Sequence, residues 1–129
     1  MDRTTILLQA VDKIKEMGYK CYISIYYELQ RNNPTYCFIT DGINIGYMQS
    51  NDFGCGLNFS TVYKPSSKYG TGVDIATDVT IDKITKELIE KTFVIPQHFN
   101  KKTIKKYKSW DDFITNSLTG KVCEEIIEL

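Results

Sequence analysis

Tyr36-Cys37-Phe38-Ile39-Thr40-Asp41-Gly42-Ile43-Asn44-Ile45-Gly46-Tyr47-Met48-Gln49 is the stretch whose reading decides the fold of this chain. Two strand-like runs flank Asp41-Gly42, the strongest short-range hairpin signal a sequence offers. A two-residue loop there would pair Thr40 with Ile43, Phe38 with Ile45 and Tyr36 with Tyr47. Those six then share one face of an antiparallel pair, while Cys37, Ile39, Asn44, Gly46 and Met48 take the other.

Upstream, Cys21, Ile23, Ile25, Tyr27 and Leu29 alternate with Tyr22, Ser24, Tyr26 and Glu28, the period of a strand ended by Arg31-Asn32-Asn33-Pro34. Tyr22 and Tyr26 form either an exposed platform or a surface covered by later helices. Downstream, Ser50 to Gly54 reads as a turn and Leu57 to Lys64 as a fourth strand, with Leu57, Phe59, Thr61 and Tyr63 on one side. Before all of these, Leu7, Ala10, Val11, Ile14 and Met17 recur at helical spacing, and Gly18 stops the helix. After them, Thr80 resembles an N-cap for a helix through Ile81, Ile84, Leu88 and Ile89 that must end before Pro96. Ser109 with Asp112 resembles a capping box opening a short helix through Trp110, Phe113, Ile114 and Leu118, which Gly120 ends. The tail from Val122 to Leu129 reads equally as an apolar turn or an edge strand. The expected fold is therefore α+β: a four-stranded antiparallel β-meander with an N-terminal helix packed on its more apolar face and two short C-terminal helices. One domain, residues 1–129, holds it all.

Composition bounds the function. With 129 residues, 42% hydrophobic and 25% charged, the chain is an ordinary globular domain with a single core. Its formal net charge of zero argues against a surface built throughout to grip nucleic acid. Neither a bilayer-length apolar run nor a signal-peptide layout is present, so a cytoplasmic protein with no membrane partner is expected. Cys21, Cys37, Cys55 and Cys123 never form a C-x-x-C pair and read as buried free thiols rather than zinc ligands or a disulfide framework.

Chemistry-bearing residues are few. The single histidine, His98, lies beside Phe99 and reads as a loop residue rather than a general base. Asp111 and Asp112 suit the first turn of a helix, where the dipole favours them, and Glu124, Glu125 and Glu128 read as a solvated face. No cofactor or metal is called for, and no catalytic residue is assigned. The loop from Ser60 to Gly72 is richer: hydroxyls of Ser60, Thr61, Ser66, Ser67 and Thr71, ammonium groups of Lys64 and Lys68, Tyr69, and the amides freed by Gly70 and Gly72 suit an anion such as phosphate. Its order is not that of a P-loop. A second basic patch, Lys101-Lys102-Thr103-Ile104-Lys105-Lys106-Tyr107-Lys108, is bracketed by Phe99 and Trp110 and suits either single-stranded nucleic acid or a solvated face.

Through Asp41-Gly42, Tyr47-Met48-Gln49, Ser60-Thr61-Val62, Lys64-Pro65 and Gly70-Thr71-Gly72, roughly the central half of the chain resembles small proteins carried by bacteriophages and mobile elements. The resemblance brings no activity, cofactor or catalytic residue with it. It implies a protein that acts by binding, as an inhibitor of a host defence protein or by capture of a nucleotide signal. The expectation is thus a small non-enzymatic binding protein whose partner is a host protein or a phosphorylated small ligand, met at residues 60–72. Two alternatives are a small enzyme of nucleotide or phosphoester chemistry using the same loop, and a nucleic-acid binder using residues 101–108.

Overall fold

The computed structural model describes residues 2–24, 33–51, 56–65, 73–96, 104–116 and 126–129. An N-terminal helix, α1 (Arg3–Glu16), leads into an antiparallel sheet. Asp2 caps α1 by accepting a 2.7 Å hydrogen bond from Thr5 N, and Gly18, at φ +100°, turns the chain out of it. Ile6, Leu7, Ala10, Val11 and Ile14 form its buried stripe.

The sheet has six strands rather than the four expected: β1 (Lys20–Ser24), β2 (Tyr36–Thr40), β3 (Ile45–Ser50), β4 (Leu57–Thr61), β6 (Asp74–Val79) and β8 (Ile126–Glu128), in the order β6-β4-β3-β2-β1-β8. A separate two-stranded ladder joins β5 (Lys64–Pro65) to β7 (Ile104–Lys105). Of the tail, Ile126–Glu128 form a strand, with Ile127 opposite Ile23 and Leu129 N donating to Cys21 O at 2.8 Å. Strand β6 escapes the sequence pattern because its registers slip twice against β4 and Asp78 adopts φ +53°, so no clean alternation survives.

The hairpin keeps its faces but not its expected register. Thr40 pairs with Ile45, Phe38 with Tyr47 and Tyr36 with Gln49, leaving a four-residue loop, 41–44. The reason is side-chain chemistry within the loop. Asp41 Oδ1 accepts from Ile43 N at 2.9 Å and Asn44 N at 2.7 Å, while Thr40 Oγ1 accepts from Gly42 N at 2.9 Å and donates to Asn44 O at 2.7 Å. Gly42 has φ +101° but Asp41 stays out of the left-handed region, so the type I′ turn that a two-residue loop requires is not formed. Burial works against the ionised Asp41, yet the hydrogen bonds from Asn44 and Ile43 outweigh it and hold the carboxyl below its usual pKa.

Both faces of the sheet are covered. On the first, α1 and the segment after β6 enclose Cys21, Ile23, Cys37, Ile39, Met48, Leu57, Phe59, Ile84, Ile89 and Phe93. On the second, Tyr36, Phe38 and Ile45 pack against Phe113, with Tyr47, Val62, Tyr107, Trp110 and Ile114 around them. The helix α1 therefore lies on the face with the smaller hairpin residues, and the aromatic face belongs to α3 (Trp110–Asn116). Tyr22 is covered rather than free, stacked on Trp110 with ring centroids 4.6 Å apart; Tyr26 lies outside the described residues. Cys21 and Cys37 are buried free thiols, and burial, aided by the hydrogen bond between them, pushes the Cys37 thiol well up.

The expected pair of short C-terminal helices is replaced by three pieces. A 3₁₀ turn, Ile81–Lys83, follows Thr80; then comes α2 (Lys86–Lys91), then α3. Thr80 makes no side-chain cap, its hydroxyl donating to Asp82 at 2.5 Å, whereas Thr85 Oγ1 accepts from Leu88 N at 3.1 Å and caps α2. Ser109 opens α3 as expected, accepting from Asp112 N at 3.1 Å, while Asp112 Oδ2 accepts from Lys108 N at 2.7 Å.

Candidate anion-binding site

The two basic segments meet. In the ladder of β5 and β7, Lys64 is the antiparallel partner of Lys105 and Pro65 of Ile104, which joins one described pair of residues from each segment. About forty residues of chain separate them in sequence, and no local signal links them.

The hairpin loop 41–44 contacts the lysine run. Lys106 Nζ donates to Asn44 Oδ1 at 2.9 Å, and Asn44 Nδ2 in turn donates to Asp41 Oδ2 at 2.9 Å. Trp110 N donates to Gly42 O at 3.1 Å, tying the start of α3 to the same turn. Lys105, Lys106 and Lys108 are exposed. Lys64 and Lys105 share one register position of this antiparallel pair. Ammonium groups supply charge neutralisation and hydrogen-bond donation.

The other candidates from sequence fall differently. Ser60 lies on the second face and donates to Asp74 Oδ1 at 2.9 Å. Thr61 points the opposite way and is buried; its Oγ1 accepts from Val73 N and its own N–H donates to Val73 O, each at 3.0 Å. These bonds close the neck of the loop, a positioning role that a count of hydroxyls does not disclose. Ser66, Ser67, Lys68, Tyr69, Gly70, Thr71 and Gly72 lie outside the described residues, as do His98, Phe99, Lys101, Lys102, Cys55 and Cys123.

The aromatic residues of the lysine run are engaged inward. Trp110 stacks on Tyr22 and lies 5.2 Å from Phe113, and Tyr107 meets Phe113 edge-on at 5.2 Å. Both are partly buried in the second layer. Asn44, held by Asp41, is the contact of the lysine run that sequence reasoning missed; the Asp-Gly turn signal marked its position but not its bond to a segment sixty residues away.

Among the described residues, no group of three His, Cys, Asp or Glu side chains could hold a metal ion, and no helix is long and apolar enough to cross a membrane. Comparison of the chain with protein-family models, curated proteins and solved structures finds no match.

Proposed function

We propose that the protein is a non-enzymatic binding protein whose ligand is a phosphorylated small molecule held at the ladder of β5 and β7. The observation that carries this reading is the register of β5 and β7, which sets Lys64 opposite Lys105 along the backbone. Like charges at directly opposed positions cost stability unless something of opposite charge is held there. The nearby Lys106 extends the positive surface, and its tether to Asn44 pre-organises it, lowering the entropy lost on binding. In the setting that the resemblance to bacteriophage proteins implies, a nucleotide signal is such a ligand, and its capture needs no catalytic base.

A thermal-shift series with inorganic phosphate, nucleotides and cyclic nucleotides tests the proposal. A ligand at 100 times its dissociation constant stabilises the folded state by about 2.7 kcal/mol. Lys105→Ala and Lys64→Ala should each weaken binding by about 1.5 to 3 kcal/mol through loss of a charge-assisted contact, with Lys86→Ala on α2 as an unaffected control. Absence of any shift, or equal shifts for parent and both ladder variants, refutes the site. Steeply salt-dependent binding of a single-stranded oligonucleotide, with no response to mononucleotides, would favour nucleic acid instead.

A further inference from the structure

Asp41-Gly42 is the one place in the chain where glycine follows an aspartate or an asparagine. That dipeptide is chemically labile. Glycine has no Cβ to hinder its nitrogen, so Gly42 N can attack Asp41 Cγ: an N–C bond forms, a carboxyl C–O bond breaks and water leaves. Water then reopens the five-membered imide, and opening at the α-carbonyl runs the backbone through the side chain as isoaspartate. Atoms balance, because the water lost is regained, and no oxidant or other reactant is needed. Solvent reaches the loop freely, since Asp41, Gly42 and Ile43 are exposed, Ile43 at 65%. Protection must therefore come from hydrogen bonds, and both reacting groups are engaged by them. The attacking nitrogen donates to Thr40 Oγ1 at 2.9 Å, and that buried hydroxyl is itself fixed by donating to Asn44 O at 2.7 Å. The carboxyl under attack is turned to other donors: Oδ1 accepts from Ile43 N at 2.9 Å and Asn44 N at 2.7 Å, and Oδ2 from Asn44 Nδ2 at 2.9 Å. Beyond them, Trp110 N donates to Gly42 O at 3.1 Å and anchors the residue that would have to move. Burial opposes ionisation of Asp41, but the bonds from Asn44 and Ile43 outweigh it and keep the carboxyl charged, the form from which oxygen leaves least readily.

We infer that Asp41-Gly42 is an isoaspartate-forming site that the folded hairpin keeps closed, with Thr40 as its positioning residue, and that conversion there cuts the tether of Lys106. Ring closure has to give up the Thr40 bond on one side and the Ile43 and Asn44 bonds on the other, so it proceeds from a loop that has opened locally. Isoaspartate adds one carbon to the backbone of the loop and shortens the pendant carboxylate by one. Asp41 then no longer fits the donors of Asn44, whose Oδ1 accepts from Lys106 Nζ at 2.9 Å only while its own Nδ2 is held by Asp41. No ligand at the β5–β7 ladder is required for any of these steps.

The test is a warm incubation of the full chain at neutral pH, folded and unfolded in guanidinium, with isoaspartate located by peptide mapping and counted by enzymatic methylation of the isoaspartyl carboxyl. Conversion at Asp41 should be at least about tenfold slower in the folded chain, because it waits on loop opening. Thr40→Val should speed conversion of the folded chain about tenfold, whereas Thr40→Ser, which keeps the hydroxyl, should stay near the parent rate. Equal rates in the folded and unfolded parent would overturn the proposal, and they decide it even where Thr40→Val does not fold. A folded Thr40→Val that converts at the parent rate would overturn the role of Thr40. In the isolated isomerised chain, the nuclear magnetic resonance signals of Lys106 and of the Asn44 side-chain amide should move; unchanged signals would overturn the loss of the tether.

Discussion

Gly46 lies on the first face of β3, where an added Cβ would overlap the hydroxyl oxygen of Thr92 and stand 2.8 Å from its Cβ. Thr92 has little room to retreat, being buried with its hydroxyl donating to Ile89 O at 2.6 Å. Gly46→Ala should therefore cost about 1 to 3 kcal/mol through overpacking, read as a lowered urea midpoint. An unchanged midpoint would show that the end of α2 can slide away from the sheet. Gly42 is the contrasting case. Nothing lies within 4 Å of its added Cβ, but its φ of +101° strains any other residue. One glycine answers to a neighbour distant in sequence, the other to its own backbone, and only the second kind is marked by a local dipeptide.

At the scale of elements, the two threonines before α2 separate a cap seen in sequence from a cap that works. Thr80 resembles an N-cap in sequence, but the chain makes a 3₁₀ turn after it and starts the α-helix only past Thr85. Thr85→Ala should cost about 0.5 to 2 kcal/mol through loss of the Leu88 N–H partner. Thr80→Ala should stay within about 0.5 kcal/mol, as exposed substitutions away from such features do. Chemical denaturation of both variants checks the pair, and equal costs would mean that the hydroxyl of Thr80 carries as much as the cap. Both residues offer the same side chain, so what decides between them is tertiary: Ile84 and Ile89 are buried in the first layer, which sets where the helix begins. The Ser109 and Asp112 pair, by contrast, was legible because the cap and its partners lie within four residues.

For the whole molecule, the two layers are joined by β2 and β3, whose alternate residues feed opposite cores: Cys37, Ile39 and Met48 on one side, Tyr36, Phe38 and Ile45 on the other. Loss of either layer exposes the strands that support the other. Trp110, the single tryptophan, lies in the second layer and reports it by fluorescence, while far-UV circular dichroism reports the helices and sheet together. The two probes should give one coincident unfolding transition, and Phe113→Ala should move both by about 3 to 5 kcal/mol. An earlier fluorescence transition would show that α3 and its aromatic neighbours open as an independent unit.

The sequence by itself determined the helix stripe from Leu7 to Ile14, the alternation of β1 to β4, the two faces of the hairpin and the cap at Ser109, because each is written in spacings of a few residues. Even the hairpin shows the limit. Its faces survive a register shifted by two residues, since strand periodicity fixes parity, but loop length depended on the hydrogen bonds of Asp41 and Thr40. Only the tertiary structure decided that Ile126–Glu128 joins β1, that Asp74–Val79 extends the sheet, that α3 covers the aromatic face and that Lys64 meets Lys105. Those pairings bring together segments far apart along the chain, and they are selected by which buried surfaces and backbone groups find partners after collapse, a competition that no local pattern encodes.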